Sequence, residues 1–191
     1  MQIKNISVKN FRLLHDVDLL LESKTTVIVG RNNSGKTSLT EVMKRLLTEN
    51  NATFRLEDFS FGTHQRFWDA YVRLTFSYET DEPLGMLSDF IVDLDPDCTE
   101  ALVVARYALK EGKVSELFAD LQGVDEKARS AVFRALRDRV TTLFGLSFVA
   151  IDPNDYTNER AIEGSSVRAL CASGFISAQR GLDDASQKDR V

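Results

Sequence analysis

A run of small, hydroxylated and cationic residues near the N-terminus has the spacing of a phosphate-binding loop. Residues 30–37 have the sequence GRNNSGKT: a glycine, four variable residues, and then Gly35, Lys36 and Thr37. Glycine permits backbone conformations and close approaches that a side chain would oppose. Successive N–H groups that turn inward form a nest for anionic oxygens. The pattern therefore predicts a loop that holds the phosphate chain of a nucleotide.

Each polar residue of this loop has an expected task. Lys36 is predicted to reach the β- and γ-phosphates as a point charge, and the Thr37 hydroxyl is predicted to ligate Mg²⁺. Gly30 lets the chain leave a strand, and Gly35 lets the backbone close around phosphate oxygens. Ser38 is predicted to lie in the first turn of a helix whose positive N-terminal end adds to the anion site.

The elements around the loop are predicted to be a strand before it and a helix after it. Residues 25–29, TTVIV, form an apolar β-branched run that is typical of a strand covered on both faces. From Lys36 to about Glu49 apolar residues recur at helical spacing. Further upstream, residues 3–8 and 17–21 are expected to pair as a hairpin.

The rest of the chain alternates between strand and helix patterns. Strands are predicted at 68–79, 101–109, 146–151 and 174–178, with a short helix within 81–94, a turn at 111–113, a long charged helix over 125–144, and a polar loop over 154–164. The polar tail, residues 182–191, is expected to begin a helix or to fray.

Composition limits the function classes. The 191 residues carry a formal net charge of −5 and are 43% hydrophobic, which suits a globular chain and disfavours a dedicated nucleic-acid module. Arg129, Arg134, Arg137 and Arg139 are interleaved with acids, so a solvated helix face is expected there. No apolar run could span a bilayer, and no secretory signal is evident. Together with two widely spaced cysteines, these features predict a cytoplasmic protein without a membrane partner.

Several segments together resemble a known superfamily. Asn10, Phe11 and Arg12 form a corner between two strands ahead of the loop GRNNSGKT, and EDFSF at 57–61 precedes a strand. Near the end, residues 174–184 have the sequence GFISAQRGLDD. These segments resemble the N-terminal ATPase lobe of the OLD (overcoming lysogenization defect), RecF and SMC proteins, with OLD the nearest in pattern.

The resemblance implies a fold and a division of the chain. The expected fold class is α/β, a P-loop NTPase of the ABC/SMC head type, represented by its N-terminal lobe with an antiparallel β-subdomain and a helical insertion. Residues 1–50 would hold the hairpin, loop and first helix, and residues 51–123 a β-rich subdomain. Residues 124–191 would hold a helix, strands and the start of an insertion that continues beyond this chain.

The resemblance also implies ligands and partners. ATP and Mg²⁺ are the expected cofactors, with a homodimer in the full-length protein and DNA engaged only through the complete protein. The Arg12 position lies near the nucleotide phosphates in such heads, although a surface arginine without a ligand is the alternative. The predicted nucleotide-binding residues are Arg12, Gly30, Asn32, Asn33, Ser34, Gly35, Lys36, Thr37 and Ser38, with Thr37 also the metal ligand.

Hydrolysis needs more than this loop. An acidic residue must hold Mg²⁺ and another group must position water. Apolar residues 148–151 lead into Asp152, but Pro153 follows it, so a turn is the favoured interpretation over a metal-binding acid. Residues 163–166 are too generic for an ABC signature. Comparison with the Q-loop glutamine of ABC-type ATPases makes Gln179 a candidate for water positioning, and Arg180 has no assigned role. No catalytic residue is predicted.

Three functions remain open from the sequence. The first is ATP binding, with ATP hydrolysis once a C-terminal lobe and dimer partner complete the head, in an OLD-type endonuclease or a RecF/SMC-like protein of DNA repair or phage defence. The second is a small P-loop kinase or GTPase, which would lack the hairpin before the loop. The third is a non-hydrolysing module that keeps the loop as an anion site.

Overall fold

The protein is an α/β chain built on one antiparallel sheet. The computed structural model describes residues 1–49, 52–60, 69–79, 85–92, 95–119 and 129–171. Its strands are β1 (Gln2–Phe11), β2 (Leu14–Leu20), β3 (Asp69–Ser77), β4 (Glu100–Leu109), β5 (Phe144–Ile151) and β6 (Glu159–Ala161). Its α-helices are α1 (Lys36–Leu47), α2 (Val114–Leu117), α3 (Arg129–Leu143) and α4 (Gly164–Leu170), and two 3₁₀ helices span Leu56–Asp58 and Gly85–Phe90.

The six strands are arranged in the order β2-β1-β3-β4-β5-β6, and every neighbouring pair is antiparallel. The predicted hairpin is confirmed, since β1 pairs with β2 through partners such as Val8 and Val17. β1 also pairs with β3, so the sheet joins strands from the first, middle and last thirds of the chain. Strict alternation along β3 puts Ala70, Val72, Leu74 and Phe76 on one buried face, as its sequence pattern predicts.

One apolar cluster joins that face of the sheet to the helices. It includes Val42 and Leu46 of α1, Leu117 of α2, Val140 of α3 and Val167 of α4. Aromatic rings fill its centre: Phe54 stacks on Tyr107 with centroids 4.5 Å apart, and it meets Phe11 edge to face at 5.2 Å. The helix α1 is thereby fixed against β1 and β3, which sets the position of the loop that precedes it.

The predicted strand at 25–29 is wrong. Residues 25–30 have no regular structure, and Val27 and Val29 are 76% and 85% exposed. The reason is that the sheet ends at β2 on this side, so that no described strand lies next to the run. Without a ladder partner or a covering layer, β-branched composition alone does not produce a strand.

The C-terminal part of the described chain contains two elements that the sequence pattern did not indicate. The predicted polar loop at 154–164 holds the short strand β6, which pairs with the end of β5, and it leads directly into α4. β6 has three exposed residues and no apolar alternation, so the pairing of its backbone with β5 decides its structure. The predicted strand at 174–178 and the tail lie outside the described residues.

Most other predicted elements are confirmed within one to three residues. The helix expected to end near Glu49 is α1, and the strands expected at 101–109 and 146–151 are β4 and β5. Gly112 adopts a φ of 74° in the predicted turn at 111–113. The short helix expected within 81–94 is the 3₁₀ helix Gly85–Phe90, and the described part of the long charged helix is α3.

Candidate nucleotide-binding site

The loop before α1 has the backbone geometry that its two glycines predict. Gly35 caps the helix with a φ of 92°, a left-handed conformation that side chains oppose, and its carbonyl accepts the first helical bond from Leu39 N at 2.9 Å. A Cβ on Gly35 would lie 2.9 Å from Leu14 Cδ2. A Cβ on Gly30 would lie 2.7 Å from Ser34 Oγ. Glycine is therefore required at position 35 by both conformation and packing, whereas the close neighbour at Gly30 is the end of a serine side chain that can move.

Lys36 lies across the mouth of this loop. Its Nζ donates to the carbonyl oxygens of Gly30 at 2.6 Å and Arg31 at 2.7 Å, and to Ser34 Oγ at 3.2 Å. The ammonium group is therefore on the loop and not in the apolar core. An anion enclosed by the loop would meet this positive charge directly.

The loop lines a cavity of about 340 Å³. Seven predicted residues lie in its wall together with Leu13, which the sequence did not indicate; the predicted ones are Asn32, Asn33, Ser34, Gly35, Lys36, Thr37 and Ser38. Gly30 closes the loop through Lys36 without lining the cavity. Thr37 is exposed at the start of α1, whereas Ser38 is buried within the first turn.

The donors gathered here fit a triphosphate with a magnesium ion. The N-terminal end of α1 carries partial positive charge, its first turn contains no acidic residue, and the Lys36 ammonium adds a full charge. The Thr37 hydroxyl would be the protein ligand of Mg²⁺, an ion that keeps several waters and phosphate oxygens in its shell. Among the described residues no cluster of three or more His, Cys, Asp or Glu side chains that could hold a metal ion exists.

Arg12 lies at the strand corner beside the loop and is bound to Asp58. Its Nε and Nη2 both lie 2.8 Å from Asp58 Oδ1, and its side chain is 34% exposed. The corner has two non-glycine residues in the left-handed region, Asn10 with φ 59° and Arg12 with φ 50°. The predicted contact between Arg12 and phosphate stays a prediction; the structure shows that the residue after Arg12, Leu13, lines the cavity.

Asp58 is the functional candidate that sequence reasoning missed. Its side chain is only 6% exposed, and Oδ2 accepts from Arg45 Nη1 at 2.6 Å and from the Arg55 N–H at 2.9 Å. Burial alone would raise the pKa of this carboxyl, but the Arg55 N–H and the guanidinium groups of Arg45 and Arg12 together lower it. The available signal was the EDFSF segment, which the resemblance marked without giving Asp58 a partner.

Asp152 serves its own turn, as predicted. Its Oδ1 accepts from the N–H groups of Asn154 at 2.8 Å and Asp155 at 3.2 Å, and its Oδ2 accepts from Asn158 Nδ2 at 3.2 Å. The carboxylate therefore stabilises the connection between β5 and β6. Its oxygens are already engaged in this turn, away from the cavity lining.

Two of the clustered arginines bind to elements next to α3. Arg137 pairs with Glu57 at 3.1 Å, and Arg139 donates to the carbonyls of Leu117 and Ala119, so these two arginines tie α3 to its neighbours. Gln179 and Arg180 lie outside the described residues. None of the described helices has the length and hydropathy needed to cross a membrane.

The antiparallel sheet, the hairpin before the loop and the loop itself define a P-loop ATPase domain. The profile of the family described as AAA ATPase domain matches residues 1–131, which is more than half of the chain. The protein therefore belongs to the AAA ATPase domain family.

Solved structures include chains that are similar to this one. No curated protein matches the sequence. A solved chain from work on the structural biochemistry of ATP-driven dimerization and DNA-stimulated activation of SMC ATPases is similar, at 17% identity and a TM-score of 0.48. That alignment covers 89% of this chain and 77% of the other.

Proposed function

We propose that this protein binds ATP with Mg²⁺ in the loop formed by residues 30–38. The observation that carries the proposal is the position of Lys36, whose ammonium lies within hydrogen-bonding distance of the Gly30 and Arg31 carbonyls at the mouth of the loop. The exposed Thr37 hydroxyl beside it would ligate the metal ion. Membership of an ATPase family supports the adenine nucleotide over other bases.

The proposal extends to hydrolysis within a larger assembly. The described lining of the cavity contains no carboxylate, whereas phosphoryl transfer needs an acid for Mg²⁺ and a group that positions water. We place these groups on a C-terminal lobe and a dimer partner, as in the heads that the sequence resembles. The uncovered apolar run at 27–29 supports this, since its backbone makes no hydrogen bond within the described chain and could pair with strands of such a lobe.

The cellular role that we propose follows from the resemblance. OLD-type nucleases and RecF/SMC-like proteins couple such heads to DNA repair or phage defence, and we propose the same class of role, in the cytoplasm, for the complete protein. The hairpin β1–β2 ahead of the loop disfavours a small kinase or GTPase. Residues 1–191 would then be the N-terminal lobe, divided near residues 50 and 123.

Binding of Mg²⁺–ATP to the wild-type chain and to Lys36→Ala tests the proposal. Loss of a charged hydrogen-bond donor should weaken affinity roughly 10- to 100-fold. Lys44→Ala is the matched control, because Lys44 is an exposed lysine in the last turn of the same helix, away from the cavity lining. Equal affinities for the wild type and Lys36→Ala would leave the loop as a structural feature and contradict the proposal.

A further inference from the structure

Asp58 joins two parts of the molecule that flank the candidate site. One oxygen of its carboxylate accepts from Arg12 in the strand corner, and the other accepts from Arg45 in the loop helix α1. The backbones of the corner and of segment 58–60 are also hydrogen-bonded. Arg12 N donates to Asp58 O at 2.7 Å, and Ser60 N donates to Asn10 O at 3.1 Å. Segment 58–60 thus fixes the corner and the helix relative to each other.

The guanidinium of Arg12 bonds to Asp58 through Nε and Nη2, and within the described part of the chain its Nη1 is left for another partner. Its Nε and Nη2 both face Asp58 Oδ1, and its guanidinium lies over the Phe11 ring at 5.1 Å. Its Nη1 makes no hydrogen bond or ion pair within the described part of the chain, and the side chain is one-third exposed. A guanidinium anchored in this way keeps donors for a second anion, in a fixed orientation.

The two arginines differ in how their charges are balanced. Arg45 has a second carboxylate partner, Glu41, 2.9 Å from its Nε. Arg12 has only its share of Asp58 within the described residues. Arg12 is therefore the less neutralised of the two cations, and the residue after it, Leu13, lines the cavity.

The backbone of the corner reaches the phosphate loop directly. The residue after Arg12, Leu13, lines the cavity, and Leu14 packs against Gly35 so closely that a Cβ there would lie 2.9 Å from Leu14 Cδ2. Ser60 Oγ donates to the Arg12 carbonyl at 2.9 Å, which holds this part of the corner in place. A change at Asp58 that moves Arg12 would thus also move Leu13 and Leu14, which contact the cavity and the loop.

We infer that Asp58 is a positioning residue for nucleotide binding: it orients the Arg12 guanidinium toward the phosphates and holds the corner against α1. The inference rests on the proposed function, since it needs a triphosphate in the loop. Without the carboxylate the Arg12 side chain would be free to rotate toward solvent, and its contribution to affinity would be lost.

The test is a double-mutant cycle on Mg²⁺–ATP affinity with Arg12→Ala, Asp58→Asn and the double variant. Each single change should weaken binding roughly tenfold, and the double variant should bind no more than about twofold more weakly than either single variant. Asp18→Asn is the control, because Asp18 is an exposed carboxylate facing Arg73 at 3.9 Å on β2. Non-additivity would show that the two side chains act on affinity through their contact with each other.

Two outcomes would overturn the inference. One is a folded Asp58→Asn protein that binds ATP as tightly as Asp18→Asn; the other is a double variant whose losses multiply. If Lys36→Ala also binds like the wild type, the proposed function fails first, so the two failures are distinguishable.

A second variant covers the case in which Asp58→Asn does not fold, which far-ultraviolet circular dichroism would reveal. Arg12→Lys retains the charge and Asp58, but it cannot present two donors from one planar fork. Its affinity should fall to the level of Arg12→Ala. Wild-type affinity in Arg12→Lys would show that orientation by Asp58 is not needed.

Discussion

At the scale of single residues, the shape of the phosphate loop depends on two neighbours. Gly35 has no side chain to clash with Leu14, and Lys36 supplies an ammonium group that bonds to the loop. The glycine has a left-handed φ and touches Leu14, so that two separate constraints exclude a side chain. Lys36 then meets the two carbonyls on the far side of the loop. The contacts of Lys36 lie within the motif, so the contiguous pattern marked the residues that form the loop, whereas the contact of Gly35 with Leu14 joins positions 21 residues apart and was not predicted.

Gly35→Ala should reduce both stability and nucleotide affinity. The left-handed φ costs a side chain roughly 1–2 kcal/mol, and the contact with Leu14 Cδ2 at 2.9 Å adds to that cost. Gly112→Ala is a matched control, since Gly112 has φ 74° with nothing within 4 Å of an added Cβ. Urea unfolding should show a larger loss for Gly35→Ala, and ATP titration should show a loss for that variant alone. Equal destabilisation by the two changes would contradict the close packing of Leu14.

The buried carboxylate of Asp58 should make the free energy of unfolding fall at low pH. Its pKa is lowered in the folded protein, below the ordinary value of 3.8, so the stabilisation is present above that value and is lost as pH falls through the folded pKa. Glu41 is the other carboxylate next to Arg45, 2.9 Å from its Nε.

The measurement is the free energy of unfolding of the wild type and Asp58→Asn at a series of pH values. At neutral pH the variant should lose stability near the lower end of roughly 3–5 kcal/mol, because Arg12 remains partly solvated. The difference between the two proteins should shrink as pH falls below 3.8. A difference that is constant with pH would show that the charge of Asp58 does not stabilise the fold.

At the scale of elements, the spacing of apolar residues predicts a strand that is buried on one face. It does not predict a segment whose structure depends on whether another strand lies beside it. β3 alternates strictly because one face meets the core, so its pattern and its structure agree. Residues 25–29 have the composition of a buried strand, but burial requires a neighbouring layer that the described chain does not provide. β6 shows the opposite: its residues have no apolar alternation, but its backbone pairs with β5 and it forms a strand.

The exposed run gives a direct prediction. Val29→Ala should change the free energy of unfolding by no more than about 0.5 kcal/mol, because Val29 is 85% exposed. Val72→Ala, in the fully buried middle of β3, should cost about 2 kcal/mol by removing packed methyl groups. Urea unfolding of both variants checks this. Similar losses would mean that the run is packed in solution.

At the scale of the whole molecule, the sheet connects residues that are far apart in sequence. The pair Arg12 and Asp58 is separated by 46 positions, and the bridge between Phe11 and Phe59, with the backbone hydrogen bond from Arg12 N to Asp58 O, brings the two residues together. The sequence marked both segments, the corner with Arg12 and EDFSF at 57–61, but it did not show that Arg12 and Asp58 form a pair. This is why the loop could be predicted and the carboxylate behind Arg12 could not.

If the acid and the water-positioning group lie on another lobe, as we propose, the given chain by itself should hydrolyse Mg²⁺–ATP negligibly. Release of phosphate under single-turnover conditions measures this, with Asp152→Asn as the diagnostic variant. Asp152 bonds to its own turn, so the variant should hydrolyse at the same low rate as the wild type. Robust turnover abolished by this change would instead assign Asp152 to catalysis.

The uncovered run at 27–29 also has a consequence for how assembly can be observed. Its amides make no hydrogen bond within the described chain and should take up deuterium rapidly, whereas those of β3 are paired on both sides. A strand added beside the run would slow that uptake at a few adjacent positions. Deuterium uptake at residues 27–29 would therefore report whether a strand pairs with this run.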